Sequence, residues 1–294
     1  MRYVFSRLHP AVELLFFVLV LGFPMFYLHP ALLAASLPCA VGCVCTLYPA
    51  RTVRRGAAAL VPVVLLAAVL NPAFNHKGVT VLAYLPSGNP LTLESLLYGL
   101  AAAALLAVVL VWSACYAAVM TSDKFLYLFG RVLPALSLVL SMALRFVPRF
   151  VRQMGTIRTA QRGLGVPERG LRGRLRAQAA ALSALIGWAL EHAVETADAM
   201  RARGYGLPGR TAYALYRLDG RDRAVLVWLA ACGLYLACGA AAGALSWRWY
   251  PMLGGPAASP LAVSFPLVYL LLCAGPLILE RREVRLWRRS SSAL

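Results

Sequence analysis

The chain has 294 residues, 61% of them hydrophobic and 14% charged, and a formal net charge of +18. A mean hydropathy of +0.71 excludes an ordinary soluble domain and implies an all-α, polytopic membrane protein. The excess charge is almost entirely arginine, since Lys77 and Lys124 are the only lysines. In a membrane protein such an excess reports orientation before it suggests nucleic acid, and no nucleic-acid partner is expected.

Apolar runs of the length that crosses a bilayer predict six spans, at about 11–28, 31–49, 56–71, 95–119, 224–246 and 261–279. No small-residue cleavage site follows the first, so it reads as a retained span and not as a signal peptide. With the N-terminus inside, the cytoplasmic segments are 1–10, 50–55, 120–223 and 280–294. They hold 27 of the 29 Lys and Arg, leaving only Lys77 and Arg248 outside. Three regions result: spans 1–4 in 1–119, a cytoplasmic block in 120–223, and spans 5–6 with a basic tail in 224–294.

The first outside loop runs from Asn71 to Gly78. Val79 to Leu85 is rich in β-formers and Pro86 to Pro90 in turn residues, which predicts a small hairpin. Thr92 then reads as the N-cap of the fourth span. The second outside loop, Pro251 to Pro260, is rich in Gly and Pro. The seven cysteines (Cys39, Cys43, Cys45, Cys115, Cys232, Cys238, Cys273) lie in apolar stretches and read as small hydrophobes, not as a disulfide framework or metal ligands. His9, His29, His76 and His192 are scattered and read as interfacial or capping residues.

The cytoplasmic block carries the functional information. Phe125 to Val147 is apolar but interrupted by Gly130, Arg131, Pro134 and Arg145, which suggests an interfacial segment or a helix packed under the bundle. From Val147 to Arg162, the spacing of Arg149, Arg152 and Arg158 predicts a helix with a basic face, ended by Gly163, Gly165 and Pro167. A basic linker with Arg169, Arg172, Arg174 and Arg176 follows. Ala177 to Arg203 reads as one long helix of good helix formers, with Asp198 placed to pair with Arg201. Gly204, Gly206 and Pro208 end it. Both helices thus close on Arg-Gly, in Ala160-Gln161-Arg162-Gly163 and Ala202-Arg203-Gly204. Arginine in a last turn suits the helix dipole, and the glycine suits a left-handed cap.

No phosphate-binding loop of the G-x-x-x-x-G-K-[ST] type occurs, so no ATP site is expected in this chain. No nucleophile elbow occurs either. Glu13 and Glu94 lie near span ends, and no acidic residue sits mid-span, which disfavours a self-sufficient ion-coupled carrier. The expected role is non-catalytic.

Asn71-Pro72-Ala73-Phe74-Asn75-His76, Leu144-Arg145-Phe146-Val147-Pro148 and the two Arg-Gly motifs resemble the transmembrane (T) component of energy-coupling factor transporters. The resemblance runs from about residue 50 to 210. It implies a scaffold with two long cytoplasmic coupling helices, docked on two ABC-type ATPases that bind the ATP. A separate substrate-binding membrane (S) component would take up a vitamin or a metal ion. It further implies that Arg162 and Arg203 contact the ATPases and that Gly163 and Gly204 turn the chain past them. The first motif departs from the family pattern in having Gln161 where Ala is usual. The implied location is the plasma membrane of a prokaryote, with both termini cytoplasmic. Three other readings fit the composition: a basic loop that only fixes topology, the permease of a conventional ABC importer, and a membrane assembly protein holding anionic lipid on Arg169–Arg176.

Overall fold

A computed structural model describes residues 4–84, 90–130, 133–165, 170–205, 207, 216–255 and 260–291. The chain forms two compact units, residues 1–125 with 216–294, and residues 126–215.

In the first unit a 3-10 turn, Val4–Arg7, precedes α1 (Pro10–Phe26), α2 (Pro30–Leu47), α3 (Ala50–Phe74) and α4 (Leu93–Val119). After the second unit, α8 (Gly220–Ala241) and α9 (Pro260–Ser291) complete it. Five of these six helices carry an apolar window of at least 18 residues, and α1, at 17, lies at the lower end of the crossing range. The protein is therefore an all-α, multi-pass membrane bundle. One boundary moves: α3 begins at Ala50, so Arg51, Arg54 and Arg55 are its first turns and not a loop before residue 56. Arginine is a strong helix former, and Pro49 at the N-cap leaves these residues free to wind.

Helix starts follow local chemistry. His9-Pro10-Ala11 and His29-Pro30-Ala31 are equivalent caps, each with proline in the first turn and an imidazole Nδ1 accepting the Ala N–H at 3.2 Å. Burial lowers the His29 pKa below the usual imidazole value, which keeps Nδ1 an acceptor. Thr92 caps α4 as expected, accepting from the Ser95 N–H at 3.3 Å. The expected hairpin is present as antiparallel β1 (Val81–Tyr84) and β2 (Pro90–Thr92), with its turn outside the described residues.

The core is aromatic where α1 meets α4. Phe16 sits edge-on to Phe5 (5.0 Å between centroids), Phe17 (5.2 Å) and Trp112 (5.6 Å). Buried polar tips are satisfied across helices, as when Trp112 Nε1 donates to Ser36 Oγ (2.9 Å) and Tyr269 to the Val20 carbonyl (2.8 Å). Helices approach closely at small residues, since a Cβ on Gly99 would lie 2.6 Å from the Ala68 carbonyl oxygen. Cys39, Cys43, Cys115 and Cys273 are buried, whereas Cys45 and Cys238 are exposed.

A buried ion pair lies inside this unit. Lys124, on α5 (Ser122–Gly130), donates from Nζ to Glu13 Oε1 (2.6 Å), the Ser6 carbonyl (2.7 Å) and the Val119 carbonyl (3.1 Å). Glu13 is fully buried and Lys124 is 6% exposed. The three acceptors use all three ammonium protons, which offsets the cost of removing the charge from water. Lys124→Met leaves the Glu13 charge uncompensated and should cost about 3–5 kcal/mol. Combining it with Glu13→Gln should recover much of that loss. Detergent-phase thermal melts of the two single variants and the double check this, and equal melting points throughout would contradict it.

Candidate partner-docking site

The second unit consists mainly of two helices, α6 (Pro134–Gly163) and α7 (Gly170–Ala202). At 30 and 33 residues they are rods of about 45 and 50 Å. Both extend past the expected limits. Pro134 stands at the first helical position of α6, where its fixed φ and missing N–H favour a start and not a break. The segment from Pro134 to Val147 is therefore continuous with the basic helix. The expected basic linker is also helical, because Arg172, Arg174 and Arg176 occupy the first turns of α7. Arg, Leu, Ala and Gln there outweigh the roughly 1 kcal/mol that Gly173 costs. Arg169 and Pro167 lie outside the described residues.

Aromatic side chains fix where the rods meet. Phe146 stacks on Phe150 at 5.8 Å, Trp188 stacks on His192 at 5.2 Å, and Phe150 meets Trp188 edge-on at 6.1 Å. Phe146 meets His192 edge-on at 6.4 Å, and the Arg149 guanidinium lies 5.9 Å from the Trp188 centroid. That cation–π contact is worth about 0.5–1 kcal/mol at an exposed site. Phe146 pairs with His192 and Phe150 with Trp188, so the helices run antiparallel. Phe146 and Phe150 on α6, and Trp188 and His192 on α7, are each spaced i, i+4, which puts the two rings of each helix on one face.

Antiparallel crossing separates the two Arg-Gly ends. Arg162 lies beyond Phe150 on one side, and Arg203 beyond His192 on the other, up to about 40 Å apart by helix rise. Ala160, Arg162, Gly163, Ala202 and Arg203 are exposed, while Gln161 and Gly204 are half-buried. The exposed Asp198 and Arg201 carboxylate and guanidinium are 3.6 Å apart, the pairing expected from their spacing.

The two ends are capped in different phase. At α7, Gly204 is left-handed (φ +75), its N–H bonds the Arg201 carbonyl (3.0 Å), and the Tyr205 N–H bonds the Met200 carbonyl (3.0 Å). This is the Schellman pattern with Gly204 just past the cap. At α6 the left-handed residue is Gly165 (φ +72), whose N–H bonds the Arg162 carbonyl at 3.1 Å. Gly163 is the last residue of α6 and has no positive φ. The expectation that Gly163 turns the chain is therefore corrected, since Gly165 does so. Arg162 consequently sits inside its helix and Arg203 at the cap of its own.

A family model described as "CbiQ: Cobalt transport protein" matches residues 2–213. The chain belongs to this family. Curated relatives are named energy-coupling factor transporter transmembrane protein EcfT. That of Bacillus selenitireducens is 40% identical over 110 residues, 35% of this chain and 41% of the relative. The protein of Lacticaseibacillus paracasei is 39% identical over 107 residues, 35% and 39% of the two chains. That of Bacillus subtilis is 37% identical over 97 residues, 32% and 37%. The chain spans about two fifths of the length of the relatives it matches. The family match covers the first four spans and both rods.

The cap geometry separates the glycines. Gly204→Ala and Gly165→Ala should each cost about 1–2 kcal/mol locally, the penalty of a Cβ in the left-handed region. Gly163→Ala should instead firm the last turn of α6 by about 0.5–1 kcal/mol. Amide hydrogen exchange over the final turns reads this directly, and fraying of Gly163→Ala like that of Gly204→Ala would refute the assignment.

Proposed function

We propose that the chain is the non-catalytic transmembrane coupling subunit of an energy-coupling factor importer. The observation that carries the reading is the pair of exposed Arg-Gly ends at opposite extremities of one antiparallel helix pair. Two arginines so far apart cannot grip a single carboxylate cluster. They suit two separate acidic grooves, one on each of two ABC-type ATPases. Ala160, Gln161, Arg162 and Gly163 form one contact, and Ala202, Arg203 and Gly204 the other.

The mechanism follows from the rods. ATP, held by the partner ATPases, draws the two ATPases together. Each pulls on a guanidinium that is permanently charged and can fork onto a carboxylate. Because the rods are locked at Phe146, Phe150, Trp188 and His192, a displacement at their ends becomes a change in crossing angle at the aromatic contact. A substrate-binding membrane component docked on this chain would reorient in response and release a vitamin or a metal ion inward. The clustering of Lys and Arg supports a cytoplasmic position for both termini and the rods at a prokaryotic plasma membrane.

Truncating one partner of a desolvated charge pair typically costs about 2–5 kcal/mol. Arg162→Glu or Arg203→Glu should therefore lower ATPase recovery at one end by more than about tenfold, and the double variant should abolish it. The measurement is mild-detergent purification of the tagged chain from its native cells, with the two ATPases and the S component counted. A wild-type chain recovered without any ATPase sinks the reading. ATPases retained by the double variant would move the contact away from these arginines.

A further inference from the structure

The loop joining α8 to α9 closes on itself, because Arg248 and Gly254 exchange backbone hydrogen bonds at 2.7 and 3.0 Å. It is pinned to the bundle by aromatic side chains. Trp249 Nε1 donates to the Leu28 carbonyl (3.0 Å), and Trp249 also sits 5.9 Å from Tyr98. Trp247 lies edge-on to His29 at 5.3 Å. A Cβ on Gly255 would collide with the Trp247 ring, so this glycine makes room for the indole.

Two cavities meet at this loop. One, of about 490 Å³, is a half-open hollow lined by residues 246–248 and 251–255, Arg248 among them. The other, of about 390 Å³, is a groove between α2 and α4, walled by Leu33, Leu37, Leu97, Leu100 and Ala104. Trp247 and Leu253 line both. Trp247 Nε1 is buried with no acceptor. Arg248 is exposed, has no carboxylate partner among the described residues, and belongs to a stretch with no Asp or Glu between Asp222 and Glu280.

We infer that this loop and groove form a binding site for one anionic phospholipid. A slot walled by leucines on two membrane-spanning helices takes an acyl chain. At its end, at the level of a Trp and Tyr belt, an arginine without an acidic neighbour takes the phosphate. Charge complementarity selects phosphatidylglycerol over phosphatidylcholine, whose choline cation meets no carboxylate here. Of the two basic residues outside the cytoplasmic segments, Lys77 and Arg248, only Arg248 lies on this loop.

The test uses the full chain in nanodiscs containing a phosphatidylglycerol with a photoactivatable headgroup, followed by peptide mapping. Residues 246–255 should be labelled in the wild type. Arg248→Gln should reduce that label about tenfold, the loss of one charge-assisted contact, while label on the cytoplasmic arginine-rich peptides stays unchanged. Ala34→Trp, at an exposed position of the groove wall, should reduce it as well by filling the chain slot. An equally labelling phosphatidylcholine probe, or an Arg248→Gln chain labelled like wild type, overturns the proposal. Full competition by sn-glycerol 3-phosphate would also overturn it, because the site would then serve a free phosphate. Crosslinking from this groove to a membrane protein in native membranes would assign it to a partner helix instead.

Discussion

Everything the second unit can do depends on the contact among Phe146, Phe150, Trp188 and His192. Two rods of about 45–50 Å have little else to hold them at one register, since Ala177 and Ala181 are the buried positions of α7. A stacked pair on each helix, meeting edge-on, permits rotation about the contact more readily than sliding along it. Sliding would separate the rings, whereas a small change of angle keeps them touching. The geometry therefore favours a change of crossing angle over a change of register.

The first unit solves a different problem. Between apolar helices in a bilayer there is no water to expel, so its cohesion comes from close packing and from polar tips that find partners. Trp112 with Ser36, Tyr269 with Val20 and the close approach at Gly99 are three forms of this. Lys124 with Glu13 is a fourth, and it has a positional effect. It ties the beginning of α5 to α1 and the Val119 carbonyl, so the chain leaves the first unit from a fixed point.

Much of this was legible in the sequence because the signals are local. Length and hydropathy locate spans, Thr92 announces α4, and β-formers before Pro86–Pro90 announce the hairpin. The errors came from residues whose meaning depends on position. Pro134 reads as a breaker until it is seen to begin a helix, and Arg172–Arg176 read as a linker by their charge although arginine is a strong helix former. Gly163 and Gly165 are two residues apart, and only backbone dihedrals show which of them is left-handed. The Lys124–Glu13 pair joins residues more than a hundred positions apart, and nothing local marks either one as the other's counter-ion.

The rods also have a consequence for the life of the protein. Leu136, Val139, Val147 and Val151 on α6, and Leu182, Ile186, Leu190 and Val194 on α7, are all exposed. Contiguous apolar surface of this kind is an aggregation liability unless protein or lipid covers it. A copy synthesised in excess of whatever covers these faces is thus marked, by its own surface, for chaperones and proteases.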